Sequence, residues 1–279
     1  MNNQGYYYVV ASLPRLSLDD NTQRYRLDNF IADAHKLLCD EHMGFVCDIL
    51  CSYDVSLIID ALLGLEKPRF NRAGNYTFDK IKRSLESGEY IFDNFINKFL
   101  IEYNRDKKEK PLNRAELQDS LMDKFYEKMI NHPNRFIREY FLFDRNLRNI
   151  LVALNKRKFK DSLDDYVGSQ EEDDVIISLK ESSQGDFGLS HEIDYLAQLI
   201  EHFQNDDIVT LEKYIDELRW NKIDAINTFN YFEIDMILGY LIKFMLVERW
   251  FALDPKIGHD IFAEKTNVVL ASNVMTESK

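Results

Sequence analysis

The sequence predicts an all-α protein, and three observations carry that expectation. Apolar residues recur at helical steps of three and four, most clearly at Phe136, Tyr140, Phe143, Leu147, Ile150 and Leu154. Gly and Pro are scarce, ten and five among 279 residues, which disfavours turn-rich sandwiches and favours long helices. Three stretches share one scheme of an aromatic, an aspartate and an apolar helical run: Tyr53-Asp54 to Leu63, Phe143-Asp144 to Leu151, and Asp235 to Ile242 with Phe232 as the aromatic. Asp54, Asp144 and Asp235 stand 90 and 91 residues apart, the spacing of a repeated helical unit. The plainer reading is that Asp recurs by chance near helix starts.

Taken in order, Tyr6 to Leu13 has the aromatic and β-branched residues of a short extended segment, and Pro14 ends any regular element nearby. Asn21 to Glu41 reads as one helix with Leu27, Phe30, Ile31, Ala34, Leu37 and Leu38 on a face. Phe45 to Leu63 is the next, stopped by Gly64, and Lys67 to Asn75 is a basic loop. Phe78 to Tyr103 forms one or two helices, with Gly88 as the break. Arg114 to Asn131 is amphipathic and ends at Pro133. Ile137 to Arg157 is apolar on more than one side, so it must be wedged between neighbours, and Lys156-Arg157-Lys158 complements its C-terminal dipole. Asp161 to Gly188 reads as a long acidic connection in which Val175 to Leu179 packs locally. Glu192 to Phe203 and Ile208 to Arg219 form a hairpin, Tyr231 to Leu253 is the last strong helix, and the residues after Lys265 read as a tail. The whole is expected to be one helical domain over residues 1–279, with approximate repeats at 21–110, 111–190 and 191–265.

A net charge of −13 opposes general nucleic-acid binding, which needs clustered Lys and Arg, and permits a basic protein partner. Three cysteines make no disulfide framework, so a reducing compartment is expected. Met1 to Gly5 has no basic run, no secretory signal follows, and the most apolar window, Met236 to Val247, is interrupted by Lys243. A cytoplasmic protein is expected.

His35, Cys39 and His42 fall on one helical face with Cys47 and Cys51 close behind, a combination of imidazole and thiol suited to zinc. No Cys-x-x-Cys or His-Glu-x-x-His frames it, and buried free cysteines beside surface histidines explain it as well. Asp19-Asp20, Asp173-Asp174 and Asp206-Asp207 could bind a divalent cation or serve as acid and base, but adjacent carboxylates in loops read first as solvated turns. Gly-rich phosphate loops, nucleophile elbows and dinucleotide fingerprints are lacking. The three spaced aspartates lie beside apolar stripes, where a carboxylate must be paired, and Arg138, Arg148 and Arg249 are the cations nearest in sequence. No catalytic, cofactor-binding or metal-binding residue is therefore expected.

The units Tyr53-Asp54 to Leu63 and Phe143-Asp144-Arg145-Asn146-Leu147-Arg148-Asn149-Ile150-Leu151 resemble the Asp-x-x-Asn-apolar units of the C subunit of V/A-type ATPases, called subunit d in eukaryotes. Phe232 to Trp250 resembles that family's closing repeat. Tyr6-Tyr7-Tyr8-Val9-Val10-Ala11-Ser12-Leu13-Pro14 is similar to the opening of a bacterial group encoded among V-type ATPase genes. The middle unit keeps Asn146, whereas Leu57 and Leu238 replace it in the other two, and residues 161–188 have no counterpart. The resemblance implies a funnel of three pseudo-symmetric helical units in the central stalk, peripheral to the inner membrane. Such a subunit sits between the shaft subunits and the membrane rotor ring and couples them without catalysis. Two other classes remain open: a helical metal-dependent enzyme with an acidic site, and an unrelated helical scaffold or regulatory protein.

Overall fold

Residues 6–18, 26–69, 74–106, 113–159, 174–205 and 207–252 are described in the computed structural model of the chain; among them lie eleven helices and no strand. The helices are α1 (Tyr7–Ser12), α2 (Leu27–Leu37), α3 (Asp40–Leu62), α4 (Phe78–Ser87), α5 (Asn94–Asp106) and α6 (Arg114–Ile130), then α7 (Arg135–Phe159), α8 (Asp174–Glu181), α9 (Leu196–Gln204), α10 (Ile208–Ile226) and α11 (Ile234–Ala252). The chain is all-α.

Local chemistry sets the boundaries. Asn113 and Glu116 close a reciprocal capping box on α6, and Asp207 accepts from the N–H groups of Val209 and Thr210 to start α10. Asn134 does the same for α7 by accepting from the Ile137 N–H at 2.9 Å. Gly88 ends α4 at φ 74°, a left-handed conformation that costs a glycine little. Residues 78–103 are thus two helices, parted at the glycine.

Four expectations are corrected. Tyr6 to Leu13 is helical rather than extended: Tyr6, Val9, Val10 and Leu13 have helical spacing and all pack on the main core, which outweighs their β-propensity. The first long helix is broken, because Leu38 and Cys39 are extended (ψ 148° and 161°), so α2 and α3 are separate; residues 21–25 lie outside the described residues. The acidic connection, of which residues 161–173 lie outside the described residues, contains a helix, α8, in which Ile176 and Leu179 are buried as the expected packing of Val175 to Leu179 requires. The loop after it is clamped to α7, where Arg157 donates to the carbonyls of Ser182 and Gln184 and stacks over Phe187, 3.6 Å from the ring centre. Finally, the last hairpin is asymmetric, with α10 continuing to Ile226.

Three apolar clusters organise these helices. The largest gathers α2, the first half of α3 (Met43 to Tyr53), the end of α6, the start of α7 (Phe136 to Phe141), Ile223 of α10, and α11 from Ile234 to Phe244. The second half of α3 leaves this core and packs with α4, α5 and the start of α6. The second half of α7 does likewise with α8, α9 and α10. Each of these two lobes therefore has a long helix going out, two short helices, and a long helix returning, as α6 packs on α3 and α10 on α7. No described helix is long and apolar enough to cross a membrane.

Candidate functional site

The densest polar chemistry lies along one face of α3. Cys47, Asp48, Cys51 and Asp54 follow one another at helical spacing on that face. Asp48 accepts from Lys128 Nζ at 2.6 Å and lies 3.1 Å from His132 Nε2, while the same ammonium reaches Asp93 at 2.5 Å. Burial works against the Asp48 carboxylate, but the bonds from His132 and Lys128 outweigh it and hold the group below the usual range. Lys128 is raised in turn: burial lowers it, and its bonds to Asp48 and Asp93 more than offset that. Asp48, Cys51 and Asp93 bring their ligand atoms within 4.8 Å of one another, the one group of three with metal-ligand proximity among the described residues. The Lys128 ammonium already bonds both carboxylates, so a cation entering there must displace it. Burial pushes the Cys51 thiol up, so it offers no thiolate for nucleophilic attack.

Asp54, one turn further on, has a different environment. It is fully enclosed and accepts from the backbone N–H of Asn75 at 2.9 Å and of Tyr76 at 3.2 Å, and from Asn75 Nδ2 at 2.6 Å. No cation pairs with it among the described residues, and burial pushes its carboxyl up to about 6 against these hydrogen bonds. A side chain on Gly74 would collide with its Oδ1, so glycine is what lets the loop close over the carboxylate.

The third site is a buried network. Asp144 on α7 accepts from the Tyr126 hydroxyl and from Arg219 Nε, both at 2.7 Å. Arg219 continues to Asp216, which has no exposure and also accepts from Arg249 Nη2 at 2.6 Å and Trp250 Nε1 at 2.7 Å. Arg249 closes the chain on Glu212 at 2.8 Å. Burial and the neighbouring Asp144 drive the Tyr126 phenol well above its usual range. Four helices, α6, α7, α10 and α11, are tied together by five charges and two hydrogen-bonding aromatics.

The sequence-based candidates fare unequally. His35, Cys39 and His42 do not converge as a set of three ligands: the break before α3 puts His35 on another helix, while Cys39 Sγ at 3.9 Å and His42 Nδ1 at 2.5 Å both meet the Tyr6 hydroxyl. Asp19, Asp20, Asp173 and Asp206 lie outside the described residues, while Asp174 begins α8 and Asp207 caps α10. The arginine that holds Asp144 is Arg219, not Arg138, Arg148 or Arg249. Arg138 donates to the carbonyls of His132 and Pro133, Arg148 pairs with Asp119 and Asp123, and Arg249 belongs to Asp216 and Glu212. Asp235, in the first turn of α11, accepts from Asn134 at 2.7 Å and Asn230 at 3.3 Å, so the three spaced aspartates have unlike partners and unlike positions in their helices. Asp216, Lys128 and the Asp60–Arg114 pair were missed. Only the Asp216–Arg219 spacing on one helix hinted at any of them, since the other partners are remote in sequence.

Comparison with known proteins adds family membership. An uncharacterized protein of Chlamydia muridarum (strain MoPn / Nigg) is 21% identical over 171 residues, which is 61% of this chain and 62% of that protein. The chain thus aligns with less than two thirds of that relative's length. No solved structure matches. The model of the family described as "Protein of unknown function (DUF2764)" matches residues 1–270, and the chain belongs to that family.

Proposed function

We propose that the chain is a non-catalytic rotor subunit in the central stalk of a V/A-type rotary ATPase, coupling the rotating shaft to the membrane rotor ring during ion transport or ATP synthesis. The observation that carries this reading is the doubled helix order. α3 to α6 and α7 to α10 each run long, short, short, long, and α11 begins a third passage from the core that α3 and α7 also share. Such an order accords with the three like helical units that the resemblance to the C subunit implies. The chemistry of the carboxylates accords with it too, because each buried one is committed to fixed donors of this chain. A part that transmits torque must resist sliding between helices, and directional buried bonds oppose it. On this reading the protein is cytoplasmic and reaches the inner membrane only through the complex.

Epitope-tagged chain, expressed from its own locus and extracted in mild detergent, should retain shaft and ring subunits in fixed ratio. The reading fails if the ATPase, purified through another subunit, lacks this chain and still couples hydrolysis to ion transport.

A metal-dependent enzyme is the second reading, favoured by the proximity of Asp48, Cys51 and Asp93. The Lys128 ammonium opposes it. Elemental analysis of chain purified without chelator should find no stoichiometric metal; a stoichiometric ion lost in Asp93→Asn would instate the enzyme reading instead.

A further inference from the structure

The face that α10 turns to α11 is engaged from Asn227 down to Glu212, but not at its start. Val209, Glu212, Asp216 and Trp220 recur at helical spacing on that face. Arg249 pairs with Glu212 at 2.8 Å and with Asp216 at 2.6 Å, and Trp250 Nε1 donates to Asp216 at 2.7 Å. Lys243 lies over the Trp220 ring. Val209, next in line, is 59% exposed, and Ile208 beside it is 74% exposed.

The contacts also fix how the two antiparallel helices are set against each other. Asn227 Nδ2 donates to Asp235 O at 3.1 Å, Gly239 approaches Ile223, Lys243 reaches Asp224 at 2.6 Å, and Arg249 reaches Glu212. As α11 advances, its partners on α10 recede toward Val209 at the same pace, because both helices rise about 1.5 Å per residue. α11 ends at Ala252, so the residues that follow it come level with Val209. They begin Leu253-Asp254-Pro255-Lys256-Ile257, with Ile261 and Phe262 beyond. Two exposed apolar residues are ordinary on a protein surface. What singles out Ile208 and Val209 is that an apolar stretch of the same chain sets out from their edge.

We infer that residues 253–262 of this chain dock on the first turn of α10 and cover Ile208 and Val209. Pro255 disfavours a further helical turn at that level, which lets Leu253 and Ile257 fold over the two side chains. A tethered segment meets its site at an effective concentration on the order of millimolar, so a partner protein or a second copy must outcompete it there. Docking fastens the start of α10, the returning helix of the second lobe, to the end of α11. It needs no rotary complex and stands apart from the rotor reading.

The test is a double-mutant cycle in the full chain. Val209→Ser should lower the melting midpoint by about 2–4 °C, and Leu253→Ser combined with Ile257→Ser should lower it similarly. All three together should fall no further than the larger of those shifts, to within about 1 °C, because both sets remove one contact. Ile101→Ser, at a 61% exposed position on α5, is the control, and its effect should add in full to that of the Leu253 and Ile257 pair. Benzoylphenylalanine in place of Val209, activated in dilute full-length protein, should cross-link to residues 253–262 of the same molecule. Shifts that simply add across the cycle, or a Val209→Ser variant that melts with the parent, overturn the inference. So does a cross-link to a second copy, or the absence of any to that segment.

Discussion

Asp54 accepts three N–H bonds and pairs with no cation among the described residues, and that balance gives it a testable titration. Its carboxyl titrates at about 6 in the fold against 3.8 ordinarily, because burial outweighs the hydrogen bonds. The folded protein therefore holds this proton more tightly than the unfolded chain. The stabilisation this gives is complete below pH 3.8 and is lost as the pH rises through about 6. Asp54→Asn keeps the shape and removes the titration. The parent's stability relative to that variant should fall by roughly 1–2 kcal/mol between about pH 5 and about pH 7.5. Paired denaturant titrations at the two pH values measure it, and a difference that stays level would mean an ordinary carboxylate in the fold. The sequence showed that Asp54 must be satisfied, but not by what. Its donors come from a loop more than twenty residues away that closes only because residue 74 has no side chain.

Between elements, α11 comes close to the end of α10 at Gly239. A Cβ there would stand 2.5 Å from Asn227 Nδ2 and 2.8 Å from Ile223 Cγ2. Neither neighbour can yield freely, since Asn227 donates to Asp235 O at 3.1 Å and Ile223 is buried in the main core. Gly239→Ala gains about 1 kcal/mol of helix propensity. It should nonetheless destabilise the protein by a net 1–2 kcal/mol or so, as overpacking forces α11 off α10. A thermal melt decides the matter: a higher midpoint would show that the helices part without penalty. Element boundaries were legible where punctuation was strong, at Gly64, Gly88 and Pro133. They were misread where two signals competed. Tyr6, Val9, Val10 and Leu13 already had helical spacing, but the composition of the segment suggested a strand. Leu38 to Cys39 carries no Gly or Pro, so the helical period runs unmarked through a break after which α2 packs beside α11.

At the scale of the whole molecule, the two lobes and α11 meet in one core, and the Asp144 network spans the junction. Directly bonded partners within it lie up to 75 residues apart in sequence, which is why helical spacing predicted that Asp144 would be paired and named the wrong arginines. The network also sets what a substitution does. Asp144→Ala leaves Arg219 facing Asp216 alone and strands the buried Tyr126 hydroxyl. Asp144 and Arg219 side chains are only 11% and 19% exposed, so the loss should be near the buried-pair range, about 3 kcal/mol. Asp144→Asn can still accept from Tyr126 and should lose less. If the carboxylate ties helices rather than performing chemistry, the denaturation midpoint and retention in the proposed rotor complex should fall together, in the order parent, Asn, Ala. A residue that served in catalysis would instead lose turnover with the midpoint unmoved. An Ala variant as stable as the parent would therefore refute the structural role, and a destabilised variant that still assembles fully would show that the proposed assembly does not depend on this junction.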